Sequence, residues 1–372
     1  MSDPTIECLQ TFEEFQSIRT SWDEFMSRCF PEKYGRTHPW LSAWWETYHH
    51  GMPALVYVQR DVRSKSIEAA APLMIRKDFF GGFPVRSLQS LGSGIGADDF
   101  LVGPQAHDFV PTVLSDVVHN HRWHLAKLHR LQSTLFHQEA HRASATMACP
   151  VDLSESDDYY VEFPDSYSAY QQSRSRKFRR NFNQAMNRLQ KDGNVAIKVL
   201  DPFVDARLVR DVGREIAVTS WQYREGKSHF NDNGCGSFYD NLARTRQRSD
   251  GEEFTVLLVK DRPVAYLLGC RRGRTYFAVD TAYHADYRHV SAGRILFAKI
   301  FERLMDEGEI DRFDFEGSGE YKEDFATHQR NSTMMVVYHH SPYPRVIRFA
   351  KGLKIHAFLK NMRAWRRVHS EA

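Results

Sequence analysis

Cysteine is scarce in this chain. Five occur in 372 residues. Cys8, Cys29, Cys149, Cys235 and Cys270 are scattered, with no Cys-x-x-Cys pair. That pattern excludes a disulfide-stapled fold and reads as reduced thiols. Long hydrophobic runs are also missing, since none approaches the ~18 residues of a transmembrane helix. Met1 to Glu7 hold neither a basic nor an apolar stretch, so the expectation is a cytoplasmic chain without a leader. Charge of one sign is absent too. The 50 Lys and Arg face 47 Asp and Glu, which gives no ground for DNA binding. Gly92, Gly94 and Gly96 follow the spacing G-x-G-x-G and open no apolar-periodic helix, so there is no dinucleotide fingerprint. His119, His121 and His124 straddle a predicted helix end with no cysteine beside them, and no metal site is expected.

What is present is a globular composition, 42% apolar and 26% charged. The length is too great for one ordinary domain and comfortable for two. Helical spacing of apolar residues runs from Phe12 to Phe30, and a second helix begins at His38 with Pro39 in its first turn. Leu55 to Gln59 and Ile67 to Arg76 read as a hairpin, Gly81 to Gly103 as loop with short strands, Val110 to Asn120 as a helix and Trp123 to Leu131 as a strand. The second half repeats the plan. A hairpin turns at Asp261-Arg-Pro263, and a strand starts at Thr275. A helix then runs from Ala292 to Glu307, and a strand from Arg312 to Phe315. The pattern predicts two copies of one mixed α/β domain, 1–165 and 166–372.

Two stretches carry candidate chemistry. The small-residue turn Ser291-Ala-Gly293 opens an amphipathic helix, with Arg288 and Arg294 beside it. Such a turn suits a pyrophosphate at a helix N-terminus, because converging N–H groups need close approach without a Cβ in the way. The short strand after that helix ends in a polar loop, Asp314-Phe-Glu-Gly-Ser-Gly-Glu-Tyr-Lys322. Arg174 to Lys191 form an amphipathic basic helix. It reads either as a solvated face or as an anion-binding one. The run from Arg345 to Arg367 is basic and amphipathic as well. It reads as packing on the second domain or as peripheral contact with an anionic membrane.

At these residues the chain resembles the CelD-like group of GNAT acyltransferases and, in plan, the FemABX peptidyltransferases. The motifs are Pro39-Trp-Leu-Ser-Ala-Trp-Trp45, Ala71-Pro-Leu73, Ser175-Arg-Lys-Phe-Arg-Arg-Asn181, Ser291-Ala-Gly293, Asp314-Phe-Glu-Gly317 and Tyr321-Lys322. The resemblance implies two tandem GNAT-like domains, each a mixed, mostly antiparallel sheet flanked by helices. It implies acetyl-CoA or another acyl-CoA as co-substrate, held by Arg288, Val290, Ser291, Ala292, Gly293 and Arg294, with no metal. Ser291 stands where the family pattern has glycine. Lys322 would stabilise an oxyanion, Tyr321 would protonate the leaving thiolate, and Glu316 or Asp99 would serve as base. Asp98, Trp221 and Asp314 would line the acceptor site. The acceptor would be a small molecule or a glycan or peptide precursor, and monomer and dimer stay open. Two alternatives remain: a FemABX-like transferase using charged tRNA, and a non-catalytic scaffold in envelope or polysaccharide assembly.

Overall fold

The computed structural model describes residues 5–49, 51–92, 96–224, 228–230, 238–245 and 251–352. Cys235 and most of the 345–367 run lie outside them. Strand β1 (Thr5–Leu9) leads to helices α1 (Phe12–Ser17) and α2 (Arg19–Cys29). The expected single helix is divided because the backbone turns at Ile18. Thr11 starts α1 with a capping box to Glu14. Helix α3 (His38–Tyr48) follows. The hairpin of β2 (Ala54–Arg60) and β3 (Ile67–Phe80) extends into β4 (Phe83–Ser90), a full strand where a loop-rich stretch is expected. Then come β5 (Leu101–Val102), α4 (Phe109–Asn120), β6 (Leu125–Leu131), α5 (Thr134–Thr146) and β7 (Val151–Glu162). The chain continues with α6 (Tyr167–Ser173), α7 (Arg176–Asp192), β8 (Val195–Leu200), α8 (Ala206–Ala217), α9 (Trp221–Arg224) and α10 (Phe238–Thr245). Strands β9 (Glu252–Val259), β10 (Arg262–Arg272) and β11 (Thr275–Tyr283) precede a 3₁₀ turn at Ala285–Val290. Helix α11 (Ala292–Glu307), β12 (Arg312–Asp314), α12 (Glu320–Phe325), β13 (His328–Tyr338) and α13 (Pro342–Gly352) complete it. Among the described residues no helix is long and apolar enough to cross a membrane.

Packing divides the chain into two compact units that are not consecutive halves. One holds Met1–Phe30, His49–Ser156 and Asn331–Ala372; the other holds Pro31–Tyr48 and Asp157–Arg330. Each is a mixed, mostly antiparallel sheet flanked by helices. In the first, the strand order is β1-β2-β3-β4-β6-β13, and only β4 and β6 run parallel. Helix α4 makes the crossover between them and buries Val110, Val113 and Val117 against Leu73 and Leu88. In the second, the order is β8-β9-β10-β11-β12-β7, and only β11 and β12 run parallel. Here α11 is the crossover. Its Ile295, Leu296, Ile300, Phe301 and Leu304 are fully buried with Phe313. It stops at Gly308, whose φ of 69° suits glycine. Each buried phenylalanine of this kind is worth about 3–5 kcal/mol against alanine.

Two departures from consecutive halves have plain causes. Helix α3 belongs to the second unit, where Trp40 stacks edge-on with Phe238 at 4.5 Å and Thr47 accepts a hydrogen bond from Asn241 at 2.8 Å. The closing strands are exchanged. Strand β7 follows the first crossover but pairs with β12, while β13 follows the second and pairs with β6.

Candidate functional site

The 3₁₀ turn places Ser291 in the left-handed region, at φ 55° and ψ 44°, immediately before α11. A plain helix start would have the serine side chain cap the first turn. It does not, since the Ser291 hydroxyl makes no cap hydrogen bond. An α-helix has no internal acceptor for its first N–H groups, which here belong to Ala292 and Gly293. Gly293 has ordinary helical freedom, and a Cβ built on it meets only the Tyr283 ring, at 3.4 Å. The protein's own packing therefore does not demand glycine there. Ser291 itself is costly, because a left-handed residue with a Cβ loses about 1–2 kcal/mol. Ser291→Gly should stabilise the protein by about 1 kcal/mol in reversible denaturation; an unchanged midpoint would show that Ser291 carries no backbone strain.

In front of this helix start lies a cleft of about 270 Å³. Ser291, His289 and Arg294 form one side, α7 the other with Phe178, Phe182 and Arg188. Helix α7 is the expected basic helix. Ser175 caps it, accepting from the Phe178 N–H, and its Phe182, Ala185, Met186 and Leu189 pack on the second core. That leaves Arg176, Lys177, Arg179, Arg180 and Arg188 exposed. Arg294 is half-buried over the rings of Phe178 and Phe325 and pairs with Asp324 of α12. Desolvation holds its guanidinium below the ordinary arginine value. Val290, at 2% exposure, anchors the turn in the core, whereas Arg288 is exposed.

The polar loop after β12 is built by two clamps. Asp314 is buried; one oxygen pairs with Arg330 at 2.7 Å and the other accepts the Glu316 N–H at 2.8 Å. Lys322 reaches back to donate to the Phe315 carbonyl at 2.9 Å. Between them Glu316 takes a φ of 54°, a strain that persists only where neighbours hold it. The strand expected from Arg312 to Phe315 ends at Asp314. Phe313 and Phe315 both enter the core.

Tyr321 stacks near Phe297 of α11, ring centres 6.0 Å apart. Desolvation, with the Asp280 charge second, pushes its phenol up to about 12. Asp280 itself is a residue the sequence reading passes over. It accepts hydrogen bonds from the hydroxyls of Tyr239 at 3.0 Å and Tyr266 at 3.1 Å. Burial, then this carboxylate, raises both phenols well above their ordinary value. Asp280 sits on β11 beyond the point where that strand leaves β12. Their pairing covers only Thr275 to Phe277, while β10 accompanies β11 to Tyr283. The Asp280 half of β11 thus has a backbone edge that β12 does not cover.

Thus the residues from Arg288 to Arg294 and the Asp314, Glu316, Tyr321 and Lys322 loop belong to one unit, linked by the Arg294–Asp324 and Phe297–Tyr321 contacts. Asp98 and Asp99 belong to the other unit and hold its backbone. Asp98 accepts the His129 N–H at 2.9 Å. Asp99 accepts those of Gln132 and Ser133, at 3.0 and 3.1 Å, where β6 passes into α5. Trp221 opens α9, and its side chain lies outside the described residues. Among the described residues no group of His, Cys, Asp and Glu could hold a metal.

Residues 176–325 match the family described as Acetyltransferase (GNAT) domain. No curated protein sequence matches the chain. Among solved structures, FemX is similar at a TM-score of 0.55 and 10% identity, over 92% of this chain and 99% of that one. The C-terminal DUF2156 domain of an Agrobacterium fabrum protein is similar at 0.52 and 12%, over 92% and 96%. L-PGS from Bacillus licheniformis is similar at 0.50 and 12%, over 93% and 96%. At such identities the likeness is one of fold.

Proposed function

We propose that the second unit transfers an acyl group from acyl-CoA to an amine or hydroxyl acceptor, and that the chain is a tandem GNAT-like transferase of the CelD-like kind. The observation that carries this is the uncapped start of α11 facing a cationic cleft. Free N–H groups, the positive end of a 16-residue helix, Arg294 and Arg188 together suit a pyrophosphate. The uncovered edge of β11 suits the amide-bearing arm of such a donor, which can pair with it as an added strand does. Bound there, the donor would supply an activated thioester.

The chain's own residues would then act at the far end of that edge. Asp280, fixed by two tyrosine hydroxyls, would accept the acceptor's proton directly or through a water. It is preferred to Glu316 because it lies on β11 itself, whereas Glu316 follows the end of β12. Tyr321 at about 12 lies above a thiol at ~8.5, so it keeps its proton and acts on the leaving sulfur as a hydrogen-bond donor. Lys322, tied to the Phe315 carbonyl, would position the loop and add positive charge. Lys322→Ala should therefore lower turnover about tenfold and raise KM for the acceptor, with donor affinity unchanged. Steady-state kinetics with both substrates varied would expose an unaltered enzyme, which would remove Lys322 from the site.

A second reading rests on α7. Its exposed arginines and lysines suit the backbone of a charged tRNA as aminoacyl donor. Thermal unfolding in the presence of acetyl-CoA, longer acyl-CoAs and total tRNA separates the two. A ligand at 100 times its Kd stabilises by about 2.7 kcal/mol. No shift with any acyl-CoA would sink the first reading, and a salt-sensitive shift with tRNA alone would establish the second.

A further inference from the structure

The first unit has an open groove of about 460 Å³ where the end of α4, the start of β6, Arg86 of β4 and the loop after β13 meet. It gathers five histidines, His119, His121, His124, His339 and His340, with Arg86 and Arg122. The charges are one-sided. The carboxylate at its rim, Asp116, is already held by Tyr57 at 2.5 Å, by Asn120 and by His121 at 3.4 Å. Both guanidinium groups are exposed and have no partner among the described residues. The imidazoles are held in place. The Arg86 N–H donates to His124 Nδ1 at 3.0 Å, and His339 Nδ1 meets the Ser341 hydroxyl at 3.0 Å. His119 Nδ1 bonds the Ser115 carbonyl, and His340 stacks on His339 at 4.2 Å. Trp123 and Tyr343 brace the rings of His339 and His124 edge-on. This arrangement does not chelate a metal, since no such group exists among the described residues. It does concentrate cationic capacity in one groove.

We propose that this groove binds the phosphate group of a small phosphorylated ligand, through Arg86 and Arg122, more tightly as His124 and His339 protonate. Burial and the neighbouring Arg86 hold His124 below its ordinary value; burial and the neighbouring His340 do the same for His339. An anion reverses that bias, so binding takes up protons and strengthens as pH falls. The site is separate from the donor reading and stands or falls without it.

Isothermal titration at constant ionic strength tests it. Sulfate is the first probe, because it stays a dianion at both pH 8 and pH 6 and leaves any pH effect to the protein. Affinity should rise at least tenfold on going to pH 6, with heats that change with the buffer's ionisation enthalpy. Arg122→Ala and Arg86→Ala should each weaken it about tenfold with unfolding midpoints unchanged, and His339→Asn should flatten the pH dependence. Glycerol 3-phosphate and vesicles containing phosphatidic acid then distinguish a soluble ligand from a lipid headgroup. Sulfate binding that is absent at pH 6, equal at both pH values, or retained in both arginine variants would overturn the proposal.

Discussion

Gly293→Asp is expected to abolish acyl-CoA binding, by at least 100-fold in Kd, while leaving the protein as stable as before or slightly more so. The separation of the two effects follows from position. A Cβ at Gly293 has room, with only the Tyr283 ring at contact distance. An aspartate in the first turn of a helix interacts favourably with the dipole, by about 0.3–1 kcal/mol. The same carboxylate would stand where a pyrophosphate is proposed to sit, removing the approach and adding like charge. Calorimetry with CoA and a thermal melt on the same preparation read both quantities. Retained CoA affinity in a folded variant would move the donor away from α11. Gly293→Ala provides the graded control, with steric hindrance but no charge and an intermediate loss.

The second large effect is expected at Asp280. Asp280→Asn should lower turnover by about 10²–10⁴, the range for losing a positioned acid–base group, with CoA affinity unchanged. Asparagine keeps an oxygen that can accept from Tyr239 or Tyr266, so the tyrosines remain partnered and the fold persists. The kinetic split distinguishes a base from a structural strut. The loss should fall on kcat with KM for the acceptor little changed, and Asp280→Glu, which restores a carboxylate, should recover part of it. An Asn variant that turns over at the wild-type rate would assign the base elsewhere.

The proposed donor side is more legible in the sequence than the proposed acceptor side. Helix α11 runs from Ala292 to Glu307 as its apolar spacing predicts, because its buried face is continuous and both ends carry local signals, the small-residue turn and Gly308. The basic helix α7 was equally plain. Asp280 was not, because its two partners lie 41 and 14 residues away and no local pattern joins them. The one available signal was a carboxylate inside the apolar strand Thr275 to Tyr283. Asp98 and Asp99 received site roles from the family resemblance alone. Each is buried on backbone N–H groups some thirty residues further on. Backbone demand of that kind leaves no trace in side-chain periodicity.

The repeat is visible even in dihedral angles. Asp108 precedes α4 at φ 55° and ψ 11°, the counterpart of Ser291 before α11. The sister position thus carries a negative charge at the helix start and is followed by the buried Phe109. That supports a single donor site, on the second unit.

The exchange of β7 and β13 also sets an order of events during synthesis. The second unit ends at Arg330, so all of its strands have been made by then. The first unit, although its N-terminal strand is made first, waits for β13 to cover the edge of β6. Until then that edge offers unpaired N–H and C=O groups to any passing strand. The part of the chain that emerges earliest is thus the last to close, and until β13 is made β6 remains an open edge.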